Sequence, residues 1–333
     1  MDQDKVLHLT DTIYNSLNAL HLKLAAISPQ GLLSSEIRQK AWPILLASQA
    51  TSWRIPDFTK NKDSAIIRCD VDRSIFGNDI SDSYTEQERE EKRAELSEII
   101  NTVICKNPNL HYVQGFNYIS TTFLLAAGMQ VAYGLSEKCA HLFIRDFMRK
   151  DFNDGAVQYF KMIYSVLDVV DPGVSNKIKE VYTFDEELMV PDVILPWVIC
   201  WFSSSLYKFE DVCRIFDFCL ATHPLAPIYL SVGIILNKRD QVLMVEEMSE
   251  LHSILRKIED LDVEDLCSKT FHLMEKIPPY LLAETHKNKF KLDSSVLNTN
   301  DFDKVLLRKS LEKKFSYGLF GFIFATTILL LIN

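Results

Sequence analysis

Apolar residues recur at helical spacing along nearly the whole of this chain, and no convincing stretch alternates apolar with polar residues in twos. A period of 3.6 buries one stripe of a helix, whereas a half-buried strand needs a period of two. Breakers are scarce as well: 10 Gly and 11 Pro in 333 residues are too few for the turns of a sandwich or barrel. The chain therefore reads as all-α. With 47% hydrophobic and 24% charged residues it can bury a sizeable core, which excludes disorder over most of its length. No internal repeat is visible.

Local signals place individual helices. Thr85-x-x-Glu88 is a capping box, and Leu96, Ile99, Ile100, Val103 and Ile104 line one apolar face before Asn107-Pro108 stops the helix. A second helix is expected to open near Phe116 and to turn Ile119, Phe123 and Leu124 inward, and a third to span Ala156 to Val170, with Asp171-Pro172-Gly173 as terminator. The run Val193 to Leu206, with Trp197 and Trp201, is apolar nearly all round and so belongs in the centre of the core, its tryptophans as packing groups. Further helices are read at Val212–Leu220, Ile228–Leu236, Gln241–Ile258 and Val263–Ile277, closed by Pro278-Pro279. The polar, weakly patterned stretch that starts near His286 reads as a tether.

Phe315 to Ile332 carries no charge, and at about 1.5 Å per residue it reaches roughly 27 Å, near the thickness of a bilayer core. Arg308, Lys309, Lys313 and Lys314 precede it, as expected on a cytosolic face. The run is read as a transmembrane tail anchor, and its shortness suits a thin membrane such as the endoplasmic reticulum. Met1-Asp2-Gln3-Asp4-Lys5 lacks the basic and apolar regions of a signal peptide, so the body is expected in the cytosol. The expected organisation is an N-terminal lead-in at 1–30, one large helical domain at 31–285, a polar and basic tether at 286–314 and the anchor at 315–332.

Several chemistries are excluded. A net charge of −9 has the wrong sign for a nucleic-acid partner. Seven cysteines without a C-x-x-C pair, and eight dispersed histidines, write neither a disulfide framework nor a metal site. Phosphate-loop, dinucleotide, nucleophile-elbow and zinc-protease signatures are all missing. What remains is two short segments in which polar residues interrupt the apolar rhythm: Ile67-Arg68-Cys69-Asp70-Val71-Asp72-Arg73-Ser74, and Leu110-His111-Tyr112-Val113-Gln114-Gly115-Phe116.

Together, in this order and about 40 residues apart, they resemble the I-x-x-D-x-x-R and Y-x-Q-G motifs of the TBC-domain GTPase-activating proteins for Rab GTPases. Arg38-Gln39-Lys40-Ala41-Trp42 is similar to that family's early R-x-x-x-W element, and Pro196-Trp197 through Phe202, then Arg214-Ile215-Phe216-Asp217, to its later core helices. The resemblance covers roughly residues 30 to 285. Ala221 to Tyr229, taken with the tail anchor, is most similar to the membrane-anchored branch of the family in the endoplasmic reticulum. Two departures concern loop paths: Gly31-Leu32-Leu33 stands where the family often has Gly-Ile-Pro, and Ile75-Phe76-Gly77 where Phe-Pro often follows the arginine motif.

The resemblance implies a single helical Rab-GAP domain that activates a partner's GTPase in trans and hydrolyses no nucleotide itself. Arg73 would neutralise charge on the transferring phosphoryl group and Gln114 would orient the attacking water. No cofactor of its own is expected, since GTP and Mg²⁺ would belong to the Rab. Among the neighbours, Asp70 either holds the base of the arginine finger or forms a simple surface ion pair with it. Tyr112 is expected to pack its ring and fix the loop by its hydroxyl, Gly115 to let the backbone approach the partner or enter a helix without a side chain in the way, and Arg38 with Trp42 to form a structural pair. The expected setting is vesicle traffic between endoplasmic reticulum and Golgi. The competing expectation is a non-catalytic, tail-anchored adaptor that binds a Rab or another trafficking protein.

Overall fold

The computed structural model describes residues 3–11, 13, 19–48, 61–75, 77–182 and 191–297, and these contain no β-strand. Their α-helices, in chain order, begin with α1 Gln3–Asp11, α2 Ala19–Ile27, α3 Ser35–Leu45, α4 Ser64–Asp72 and α5 Asp79–Asp82. The middle of the chain forms α6 Glu86–Lys106, α7 Phe116–Ala127, α8 Met129–Leu142, α9 Asn153–Val170, α10 Pro172–Val181 and α11 Ile194–Ile199. The last third forms α12 Phe209–Ala221, α13 Ala226–Asn237, α14 Arg239–Leu243, α15 Met248–Arg256, α16 Val263–Lys276 and α17 Pro279–His286.

Caps set several of these boundaries. The Thr85–Glu88 capping box is formed in both directions and starts α6, which ends at Asn107. Asp171 both follows the last residue of α9 and accepts from Val174 N–H to start α10, with Pro172 in its first turn. The expected terminator is thus a hinge between two helices, because proline at the first helical position loses only an N–H that would be unpaired there. Pro278-Pro279 behaves alike and opens α17 where a stop was expected.

The core runs through α12 and α13. Every residue from Val212 to Ala221 and from Ala226 to Ile235 is buried, so both helices are covered all round. On them pack α2, α3 and α16, while α6, α7 and α8 form a layer joined to this one through α3 and by α7 directly on α12, where Phe123 meets Phe216 at 5.4 Å.

Two expected helices are broken. Val193–Leu206 is helical only as far as Ile199, after which Trp201 (φ 50°) and Phe202 (φ 63°) adopt left-handed backbone. That conformation costs about 1–2 kcal/mol per residue. It turns Trp201 onto Phe143 and Phe216, with ring centroids at 5.3 and 5.1 Å, and Phe202 onto Trp197 at 5.7 Å, so ring packing offsets the strain. Gln241–Ile258 splits at Met244, which lets α14 pack on α10 while α15 follows its own course.

Residues 287–297, expected as the start of a tether, lie against the body in two 3₁₀ turns, Lys287–Lys289 and Ser295–Leu297. Buried Asp146 accepts from Ser294 Oγ (2.8 Å), Ser295 N–H (2.9 Å) and Ser295 Oγ (2.7 Å), and Asp293 pairs with Arg145 and Arg149. The basic segment after residue 297 and the apolar run 315–332 lie outside the described residues; among those described, no helix is long and apolar enough to cross a membrane.

His223, between α12 and α13, is buried and accepts from Leu225 N–H through Nδ1 at 3.1 Å. Burial pushes its pKa down to about 3. The unfolded imidazole titrates near 6.5, so protons bind the unfolded chain preferentially between these values and folding stability falls as pH drops below about 6.5. The expected slope from this residue is about 1.4 kcal/mol per pH unit. Urea melts at pH 7 and pH 5.5 of the protein and of His223→Gln check it: equal pH slopes would exclude His223 as the source.

Candidate functional site

Arg73 terminates α4. Its backbone caps the helix by donating to Val71 O, and its side chain is 54% exposed. A guanidinium at this end also faces the negative pole of the helix dipole. One turn back, Asp70 is buried at 3% exposure and receives the Arg73 Nη2 donor on Oδ1. Its other oxygen accepts from the Tyr112 hydroxyl at 2.6 Å. Asp70 is therefore not half of an exposed surface pair: its carboxylate is held from inside while it holds the arginine.

Tyr112 and Gln114 lie in the loop between α6 and α7. Asp63, which precedes α4, accepts from Tyr112 N–H at 2.8 Å, so the loop is tied to both ends of that helix. Burial and then the bond to Asp70 push the Tyr112 phenol well above its ordinary range, so it remains a donor at every physiological pH. Gln114 is exposed, and its side chain has no hydrogen-bond partner among the described residues.

Gly115 starts α7 with φ 115°. A Cβ there would lie 2.7 Å from Ile199 Cγ2 and 3.0 Å from Cys200 Sγ. Both the left-handed backbone and the contact require glycine, and the close approach is to the protein's own α11. Beside it, burial pushes the Cys200 thiol up to about 12, which keeps it protonated and unreactive.

Asn117, fully buried in the first turn of α7, was not singled out by the sequence reading. Its Oδ1 accepts from Gly115 N–H at 3.1 Å and its Nδ2 donates to Ser74 Oγ at 3.0 Å. Ser74 Oγ in turn donates to Asp70 O at 2.7 Å. An Asn in the apolar stretch Phe116–Ala127 was the available signal, because a buried amide needs partners.

Arg38 and Trp42 belong to a different cluster, centred on Asp217 of α12. Asp217 is fully buried and accepts from Arg38 Nε (3.3 and 3.2 Å), Trp42 Nε1 (2.8 Å) and Leu32 N–H (2.9 Å). Arg38 Nη1 also reaches Glu210 at 2.7 Å. These residues join α3, the turn before it and α12, and none of these bonds reaches Asp70 or Tyr112. Among the described residues no group of three or more His, Cys, Asp or Glu side chains could hold a metal ion.

A half-exposed arginine and an exposed glutamine thus stand on segments joined beneath by one buried hydrogen-bond network, on an all-helical body. The sequence pattern described as the Rab-GTPase-TBC domain matches residues 35–244, and the chain belongs to that family. It is 36% identical over 284 residues to the protein named TBC1 domain family member 20 of Bos taurus, covering 81% of this chain and 68% of that one. With the Homo sapiens protein of the same name it shares 36% over 270 residues, covering 79% and 64%. The fold resembles the crystal structure of the Ypt/Rab-GAP domain of Gyp1p, with a TM-score of 0.56, 14% identity and coverage of 81% of this chain and 97% of that one.

Proposed function

We propose that this chain accelerates GTP hydrolysis on a Rab-family GTPase by lending Arg73 and Gln114 to the partner's nucleotide site. One observation carries the reading: Arg73, half-exposed and held by buried Asp70, and Gln114, exposed on the loop held by Tyr112, are offered at the surface by one buried hydrogen-bond network. In phosphoryl transfer charge moves onto the equatorial oxygens, and a permanently charged, forked guanidinium neutralises it. The glutamine amide carries a donor and an acceptor, which is what holding a water in line requires. GTP and Mg²⁺ are the partner's, and this chain needs no cofactor. Tyr112, Asp70 and Gly115 keep the two side chains in register with each other.

The apolar run 315–332 anchors the protein in a membrane, the basic residues before it stay cytosolic, and the endoplasmic reticulum is the proposed residence. There the protein shortens the active lifetime of a Rab in traffic between endoplasmic reticulum and Golgi. The full chain, tested against a panel of GTP-loaded Rabs, should accelerate phosphate release from at least one. Binding without faster hydrolysis would establish the adaptor instead, and a fusion lacking 315–333 that stayed on membranes would remove the anchor.

A further inference from the structure

Of the groups that carry Arg73 and Gln114, one bonds both finger segments, the Gly115 backbone on one side and the Ser74 hydroxyl on the other, and had no assigned role. The side-chain amide of Asn117 lies between Gly115, next to Gln114, and Ser74, next to Arg73. Its orientation is dictated by its partners. Gly115 N–H is a donor and must face Oδ1, and Ser74 Oγ, whose own proton goes to Asp70 O at 2.7 Å, is left with lone pairs for Nδ2. The bonds therefore run in one direction, from the start of α7 through Asn117 and Ser74 into the last turn of α4.

We infer that Asn117 is a positioning residue that fixes the spacing between the arginine and glutamine fingers through the chain Gly115–Asn117–Ser74–Asp70; this rests on the finger reading above. Tyr112 also links the two segments, through its hydroxyl to Asp70 and its N–H to Asp63, and so restrains the arginine side chain and the start of the glutamine loop. It does not reach Gly115 or Ser74. Asn117 is fully buried, so it does not contact a docked GTPase, and its effect passes through Gly115 N–H, the Ser74 hydroxyl and the Tyr112 hydroxyl, which lies 3.2 Å from Asn117 Oδ1. A misplacement of about 1 Å at a reacting centre can cost about 10²-fold in rate. Loss of the tie is therefore expected in turnover of the bound complex and not in its formation.

The test uses the full chain in detergent and a GTP-loaded Rab that the unsubstituted protein accelerates. Ser74→Ala, Asn117→Ala and the double variant are each measured for kcat and KM of phosphate release, with thermal melting alongside. Each single variant is expected to lose about 10- to 100-fold in kcat with KM changed by less than about threefold. The double variant should fall no further than the worse single one, since both remove the same tie. Should Asn117→Ala not fold, Ser74→Ala decides alone, because it deletes only one hydroxyl. Folded variants with unchanged kcat, additive losses, or a loss confined to KM would each overturn the inference. Arg73→Ala run in parallel separates the two claims: full activity there overturns the finger reading itself, whereas an inactive Arg73→Ala beside fully active Ser74→Ala overturns only the tie.

Discussion

Arg73→Ala should reduce turnover of a saturating GTP-loaded Rab by about 10³–10⁵-fold, equivalent to roughly 4–7 kcal/mol of barrier. The size follows from what is lost: a fixed charge aimed at developing phosphoryl charge in a site from which docking excludes water. Some stability should be lost as well, because the buried Asp70 carboxylate is left without its counter-charge and keeps only the Tyr112 hydroxyl, at 2.6 Å. The loss of turnover is therefore read on protein shown to be folded. Arg73→Lys should recover little, because an ammonium lacks the planar fork and is shorter and more strongly hydrated. Gln114→Ala should cost about 10²–10³-fold, the scale of one oriented polar contact in a transition state. Single-turnover phosphate release, with a melting curve for each variant, checks all three. Wild-type turnover by Arg73→Ala would end the proposed mechanism.

Asp217→Ala should be the most damaging single change to the fold, costing about 3–5 kcal/mol, since it leaves a buried guanidinium without its main counter-charge. The remaining partner of Arg38, Glu210, is 66% exposed and compensates poorly. Trp42 Nε1 and Leu32 N–H lose their acceptor in the same step, which adds to the cost. Against a total stability of about 5–15 kcal/mol this is a large share, and the midpoint of thermal unfolding should drop by roughly 6–20 °C. Asp217→Asn retains an acceptor but not the charge and should fall between. Combined with Arg38→Met, the Asn variant should lose less than the sum of the two singles, because the stranded cation is gone. A midpoint within about 1 °C of the unsubstituted protein for Asp217→Ala would contradict this account.

The expectations that held are those written in neighbouring residues. The capping box at Thr85, the stop at Asn107 and the helix from Phe116 each depend on groups within one or two turns, and all are formed. The helical period also reported which residues are buried, including Trp197 and Trp201. It failed where distant packing overruled it. Nothing local ends the helix at Ile199; the break follows from Trp201 docking on Phe143 and Phe216. Likewise the polar residues Asp293, Ser294 and Ser295 look solvated in sequence, yet they find Arg145, Arg149 and Asp146 some 150 positions earlier.

The same division runs through the candidate site. From the sequence alone came the all-helical class, the two polar segments and the candidacy of Arg73 and Gln114, since a motif is a local pattern and survives without coordinates. Only the tertiary structure decided that Asp70 is buried, that Arg38 and Trp42 bond Asp217 and not Asp70 or Tyr112, and that Asn117 spans the two segments. Periodicity reports which face of a helix avoids water. It carries no information about which other helix covers that face or at what angle, and a buried polar group acquires its partner only when that packing is set.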